Sequence, residues 1–146
     1  MIQRIQSVFL LLASAAAFAL FAFPFASTQD AVSASAMFAD SQYDLSDNIA
    51  LLILFCLAGG LAFISIFMFK NRKTQLLLGR FAIVANLIGL VLAIALFMQD
   101  RENLGSVDPD DGIGLYLPIA FLVFALLATR FITKDEKLVK SMDRLR

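Results

Sequence analysis

Four long apolar segments place the strongest constraint on what this chain can fold into. They cover residues 7–25, 49–69, 81–98 and 113–132, and Arg130 is the only charged residue within them. Because an α-helix rises about 1.5 Å per residue, about 20 apolar residues cross the roughly 30 Å hydrocarbon core of a bilayer. Hydrophobic residues make up 60% of the sequence, more than in typical soluble domains. The whole chain is therefore predicted to form one all-α integral membrane domain, a four-transmembrane-helix bundle of two antiparallel hairpins.

The charged residues are segregated between the two sides of such a bundle. The connection between the second and third segments, residues 70–80, carries four cations and no acid. With both termini on that side, it holds 11 of the 12 cations and three acids, whereas the opposite side holds nine acids and Arg101 alone. The positive-inside rule makes the cation-rich side cytoplasmic. We therefore predict a multi-pass membrane protein with cytoplasmic N and C termini.

A cleaved signal peptide is the alternative interpretation of the first segment. Arg4 precedes the apolar run, and Ser33–Ala36 is similar to an Ala-x-Ala cleavage site. However, the uncharged run of 19 residues exceeds the usual apolar region of roughly 7–15 residues, and the candidate cleavage site lies far beyond its end. The sequence therefore predicts an uncleaved first span.

Capping residues predict where the second helix begins. Ser46-Asp47-Asn48 offers side-chain oxygens to the free N–H groups of the second helix. The third helix is predicted to begin at Phe81, or earlier near Thr74. Between the first two spans, residues 31–39 are predicted to form a short interfacial helix.

The C-terminal segment is predicted to be a separate cytoplasmic amphipathic helix over residues 133–146. Thr133 and Glu136 match a capping box, which marks a new helix start. Its cations are predicted to contact anionic lipid headgroups. The alternative is that its apolar stripe docks on a partner protein or on the N-terminal head. The predicted headgroup contacts on and near this helix are Arg80, Arg130, Lys137, Lys140 and Arg144.

Small residues and one carboxamide mark the predicted packing faces of the spans. In the second span Cys56 and Gly60, and likewise Ala58 and Ala62, are four residues apart, which lets helix backbones approach closely. Asn86 is the only carboxamide or ionisable side chain well inside a span, which makes it a functional candidate. An interhelical hydrogen bond is the favoured interpretation. Its predicted face consists of Ala82, Asn86, Gly89 and Ala93.

The composition excludes several classes of membrane protein. The chain has no histidine and a single cysteine, Cys56, so it lacks a disulfide pair, a CxxC site and the histidines of typical membrane haem proteins. No span holds the carboxylate that a proton-coupled multidrug antiporter needs. Cys56 is predicted to pack in the interior, where its thiolate is disfavoured. Asp108–Gly112 is predicted to be a solvated acidic turn, because it lacks the spacing of a calcium loop. We predict no catalytic residue, no cofactor and no metal site.

The two ends of the chain carry distinctive motifs. MIQRIQSVFLLLA at the start and ITKDEKLVKSMDRLR at the end resemble a family of small bacterial four-helix integral membrane proteins, the domain of unknown function 4293. The resemblance covers essentially the whole chain. It implies a four-helix protein of the bacterial inner membrane and brings no activity, ligand or catalytic residue with it.

Both ends are predicted to lie on the cytoplasmic face, where their polar side chains would meet. We expect this cluster to be a docking site for a cytoplasmic or membrane partner. The predicted interaction cluster consists of Gln3, Arg4, Gln6, Asp135, Glu136 and Asp143.

The sequence favours a non-enzymatic integral membrane protein, an accessory or structural subunit of a membrane complex. Its expected partners are membrane lipids and either other membrane subunits or further copies of this chain, with no nucleic acid. The alternative is a small oligomeric transporter or channel with Asn86 at a polar constriction. A third, weaker interpretation is a membrane enzyme that works through loop carboxylates.

Overall fold

The computed structural model describes residues 2–33, 35–105 and 107–143. The predicted mostly helical chain with four long helices is confirmed. The helices are Ile2–Ala19 (α1), Ile49–Phe67 (α2), Arg72–Asp100 (α3) and Leu117–Asp143 (α4), and short 3-10 helices cover Leu45–Asp47, Arg101–Leu104 and Ile113–Leu115. Within these described residues, three helical stretches are long and apolar enough to cross a membrane: Ile49–Phe67, Arg72–Leu104 and Ile113–Val139. The shorter apolar stretch of α1 is Ile5–Ala19.

A small antiparallel sheet departs from the all-α prediction. Its strands are Ala26–Ser27 (β1), Gln42–Tyr43 (β2) and Asp110–Asp111 (β3), with β1 in the centre. The predicted acidic turn at Asp108–Gly112 therefore contains a strand instead. A Cβ atom on Gly112 would lie 2.2 Å from the Pro24 carbonyl oxygen, so only glycine permits this close approach. The sheet belongs to a loop cap, which we define as residues 20–48 and 101–116.

The first helix begins and ends earlier than the predicted span of residues 7–25. It runs from Ile2 to Ala19. Pro24 lacks a backbone N–H and restricts the residue before it, so the helix does not continue through this position. Instead the backbone N–H of Phe25 donates to the Tyr43 carbonyl oxygen at 2.7 Å. The last apolar residues of the predicted span thus enter the loop cap.

The connection between α2 and α3 is shorter than predicted. Only residues 68–71 form the turn, and α3 begins at Arg72, close to the earlier predicted start near Thr74 and well before Phe81. Asn71 starts the helix because its side-chain oxygen accepts from the Thr74 N–H at 3.3 Å. Most of the basic stretch is therefore helical.

The prediction of a separate C-terminal helix is wrong, because α4 is continuous from Leu117 to Asp143. The Thr133 hydroxyl donates to the Thr129 carbonyl oxygen at 2.8 Å, which is the pattern of a threonine inside a helix rather than at its start. The 27 residues of α4 rise about 40 Å, more than the roughly 30 Å hydrocarbon core. One rod therefore carries both the apolar stretch and the basic tail.

Small side chains fill the space between the helices. α1 packs against α2 and α4, and α3 packs against the same two helices. The predicted faces are confirmed as buried at Ala58 and Ala62 of α2 and at Ala82, Asn86, Gly89 and Ala93 of α3. Cys56 is only half-buried, because it lies beside rather than within the buried stripe of α2.

Candidate functional site

Asn86 lies in the interior of the helical assembly and joins two helices. Its side chain is fully buried, and its Nδ2 atom donates to the Pro118 carbonyl oxygen at 3.1 Å. This bond connects the middle of α3 to the start of α4, so the favoured interpretation of Asn86 is confirmed. Within the described residues its Oδ1 atom has no hydrogen-bond partner.

Other buried polar side chains also bind backbone carbonyl groups. The Ser14 hydroxyl donates to the Gly59 carbonyl oxygen at 3.2 Å, which joins α1 to α2. The Gln6 Nε2 atom donates to the Phe131 carbonyl oxygen at 3.1 Å, which joins α1 to α4. These bonds tie neighbouring helices together at separate heights.

Asp100 holds the long loop of the cap against the end of α3. Its side chain is 6% exposed, and its Oδ2 atom accepts hydrogen bonds from the Ser35 hydroxyl and from the Met37 N–H, the latter at 3.0 Å. Its Oδ1 atom accepts from Asn103 Nδ2 at 2.7 Å and, more weakly, from the Ala36 N–H at 3.4 Å. The described residues of the predicted interfacial helix, 31–39, form turns and bends instead, because this carboxylate binds their N–H groups.

An aromatic cluster fills the cap beneath that loop. The Tyr43 hydroxyl donates to the Ala93 carbonyl oxygen of α3 at 3.0 Å, and its ring lies 6.0 Å from that of Phe38 and 5.3 Å from that of Phe25. Burial, and secondarily the charge of Asp47, raises the pKa of Tyr43 above its ordinary value. A neighbouring apolar cavity of about 90 Å³ is well below the roughly 300–1,000 Å³ of small-molecule pockets.

An acidic turn precedes α2. Asp44 and Asp47 form a reciprocal capping box: Asp47 Oδ2 accepts from the Asp44 N–H at 2.7 Å, and Asp44 Oδ1 accepts from the Ser46 N–H at 2.7 Å. Burial, together with the charges of Asp44 and Asp40, raises the pKa of Asp47 to about 6. Asn48 then caps α2 as predicted, by accepting from the Ala50 N–H at 2.9 Å.

The opposite end of the helices carries the basic turn and the end of α4, and we call it the basic end. There Arg72 Nη2 lies 3.0 Å from Asp135 Oδ2, so Asp135 pairs with a residue outside the predicted interaction cluster. Glu136 lines a groove beside the α2–α3 turn. Of the other predicted contacts, the side chains of Gln3, Arg4, Lys140 and Asp143, and the whole of Arg144, lie outside the described residues.

A second groove at this end lies between α3 and α4, and it gathers three predicted headgroup contacts, Arg80, Arg130 and Lys137. We call it the basic groove. Lys134, which was not among the predicted contacts, joins them, and the groove has a volume of about 610 Å³. The remaining lining residues are Leu126, Thr129 and Thr133.

The whole chain can now be compared with known proteins. The family model described as Domain of unknown function (DUF4293) matches residues 2–145. The chain belongs to this family. The resemblance inferred from the two ends of the sequence is thereby confirmed. No curated protein and no solved structure matches the chain. The DUF4293 match runs through all four helices and the loop cap, so the family corresponds to the complete fold described here.

Proposed function

We propose that this DUF4293 protein is a non-enzymatic integral membrane protein that serves as an accessory or structural subunit of a membrane complex. The proposal includes four spans, arranged as two antiparallel hairpins, with both termini in the cytoplasm of a bacterial inner membrane. Three helical stretches support it by their length and apolarity, and α1, with 18 residues, rises about 27 Å. The cations of the basic end suit the cytoplasmic side.

The observation that carries the accessory role is how the buried polar side chains are used. Ser14, Gln6 and Asn86 each donate to a backbone carbonyl of a neighbouring helix. These groups therefore contribute to the shape of the assembly, and the loop cap is fastened to α3 by Asp100. A molecule fastened in this way keeps one surface shape for other subunits to contact. Large apolar side chains are exposed along every helix, which suits lipid and the helices of other subunits.

Site-specific photo-crosslinking in native membranes tests the proposal. A photoreactive residue replaces one exposed apolar residue on each helix, and the tagged protein is then isolated. The four positions are Val8, Ile53, Val91 and Val123, which are 53%, 56%, 66% and 51% exposed. An accessory subunit gives crosslinks to a discrete protein partner from one or two helices and to lipid from the others. Ala17, which is 1% exposed, is the buried control and should crosslink only within the chain.

The outcome that refutes the accessory role is lipid crosslinking at all four surface positions together with a monomer-sized band on native gels. Crosslinks between copies of the chain from one face would instead favour a homo-oligomer.

A small oligomeric transporter or channel is the second candidate, and one observation favours it. The Oδ1 atom of Asn86 is buried without a hydrogen-bond partner in the described residues, so it can accept a hydrogen bond from water or from a passing solute. In liposomes, the transporter interpretation predicts a solute flux that Asn86→Leu abolishes. The accessory interpretation predicts no flux from either protein.

A further inference from the structure

We propose that the basic groove binds the phosphate group of an anionic phospholipid in the cytoplasmic leaflet. The inference rests on the membrane placement proposed above and goes beyond it by naming a site and a ligand class. It follows from the way α3 and α4 approach each other, from the charges that line the groove and from the direction in which its polarity changes.

Close contact between α3 and α4 forms the groove. A Cβ atom on Gly79 would lie 3.1 Å from the Thr129 methyl carbon, so the glycine lets α4 approach. Arg80, the next residue of α3, is thereby placed along α4. On α4 the cations follow steps of four and three residues, at Arg130, Lys134 and Lys137, which places them on one face of the helix. Because α4 is unbroken here, the backbone positions of these three cations are fixed relative to one another.

The two acids of α4 whose side chains the structure describes do not line the groove. Asp135 pairs with Arg72, and Glu136 lines the other groove, beside the α2–α3 turn. The four cations of the basic groove therefore share a surface without an acid among its described lining residues. Like charges gathered in this way repel one another, and a bound anion relieves the repulsion. Arginine forks match phosphate oxygens in pairs.

The hydroxyl groups in the groove are not free to donate hydrogen bonds to a ligand. Thr129 donates to the Leu126 carbonyl oxygen at 2.9 Å, and Thr133 donates to the Thr129 carbonyl oxygen at 2.8 Å. Their hydrogens are therefore used within α4. The cationic side chains are left as the donors for a ligand, which selects for negative charge.

The polarity of the groove changes along its length, and this distinguishes a lipid from a soluble phosphate. Leu126, which is 56% exposed, lines the end nearer the middle of α4, and Lys137 lines the end nearer its C terminus. These residues are separated by about 16 Å along the helix. A molecule with an anionic head and an apolar tail matches this order. Basic pockets between membrane spans are known to bind anionic lipid headgroups.

The test is native mass spectrometry of the purified full-length protein, exchanged into bilayers of phosphatidylglycerol, phosphatidylcholine or their mixture. Insertion into these bilayers is checked first by flotation, and a protein that does not insert refutes the membrane placement itself. The groove variant is Arg80→Gln with Arg130→Gln. The matched control is Lys70→Gln with Lys73→Gln, which removes the same charge from the basic end outside the groove.

We expect the wild type to retain phosphatidylglycerol in preference to phosphatidylcholine. At about 1 kcal/mol for each cation, the groove variant should bind it about 30-fold more weakly, and the control less than threefold more weakly. Arg80→Lys with Arg130→Lys keeps the charge and loses the paired donors, so its binding should lie between those of the wild type and the groove variant. A melting temperature of the groove variant equal to that of wild type excludes misfolding as the cause of its loss.

Three outcomes overturn the proposal. Equal losses in the groove variant and the control would show general attraction to the basic end. Retention of both lipids without preference would remove the anionic site. Displacement of the lipid by glycerol phosphate at millimolar concentration would show that the groove recognises a soluble phosphate. None of these results alters the crosslinking test of the accessory role, so the two failures are distinguishable.

Discussion

The substitution Asp100→Asn tests whether one carboxylate keeps the loop cap closed. Each oxygen of Asp100 faces two donors: Oδ2 faces Ser35 and Met37, and Oδ1 faces Asn103 and Ala36. An asparagine turns an NH₂ group toward one of these pairs, whichever way its amide is oriented, so two donors lose their acceptor. The remaining bonds lose their charge assistance.

The size of the effect follows from these bonds. Hydrogen bonds to charged groups contribute about 1.5–3 kcal/mol each, and a buried donor left unsatisfied costs about 1–3 kcal/mol. We therefore expect the free energy of opening the cap to fall by at least about 2 kcal/mol, which corresponds to about 30-fold faster exchange. Because the bonds join the loop to the end of α3, the effect should be local opening rather than global unfolding.

Hydrogen–deuterium exchange by mass spectrometry measures this directly. Peptides covering residues 35–41 should exchange about 30-fold faster in Asp100→Asn, whereas peptides from the middle of α2 should not change. Asp108→Asn is the matched control, since it removes an exposed carboxylate from the same cap, and its exchange should stay within threefold of wild type. Unchanged exchange in Asp100→Asn, or an equal increase in the control, would refute the reasoning.

Three further predictions follow from the packing, the titration and the charge pattern. Gly89→Leu should lower the free energy of unfolding by about 1–3 kcal/mol through overpacking, because a Cβ atom added at Gly89 lies 3.1 Å from the buried Phe55 ring. Gly60→Leu is the control and should remain near wild type, because a Cβ atom there has no atom within 4 Å. Equal melting temperatures of the two variants would contradict this prediction. Because the pKa of Asp47 is raised from 3.8 to about 6 in the folded protein, its stabilising contribution is full below pH 3.8 and is lost as the pH rises through 6. Opening of the cap should therefore become easier between pH 4 and 7, and Asp47→Asn should flatten that dependence in exchange data corrected for intrinsic rates. Alkaline phosphatase fused after Asn71 should be inactive and a fluorescent protein fused to the C terminus should be bright, because both sites are proposed to be cytoplasmic. The opposite pair of results would reverse the proposed orientation.

The long helices could be predicted because their physical signal is local and repeated. Runs without charge of about 20 residues have few solutions other than a buried or lipid-exposed helix. Periodicity also identified the buried face of α3 around Asn86, since small residues recur there at helical spacing. The basic groove could be predicted in part, because Arg80, Arg130 at the end of the fourth predicted span and Lys137 on the predicted C-terminal helix were all expected to contact lipid headgroups. Lys134 could have been added by extending the same helical face through Thr133.

The loop cap could not be predicted, because its signals are short or distant in sequence. Strands of two residues, such as β1 and β3, have no measurable alternation. The bond between Ser35 and Asp100 joins residues 65 positions apart, and neither residue stands out among the many polar residues of the loops. The capping-box prediction at Thr133 failed for a different reason: a threonine hydroxyl also satisfies the preceding turn of a continuing helix, and the sequence alone does not distinguish the two uses.

The position of β1 between β2 and β3 has a consequence for biogenesis. Its partners come from the loop before α2 and from the loop before α4, so the sheet can be completed only after α1, α2 and α3 have been made. Contacts between such remote segments form late, because a long stretch of chain must be ordered before they close. Closure of this small sheet is therefore a late step in folding, and a chain in which β3 fails to reach β1 would leave one edge of that strand unpaired.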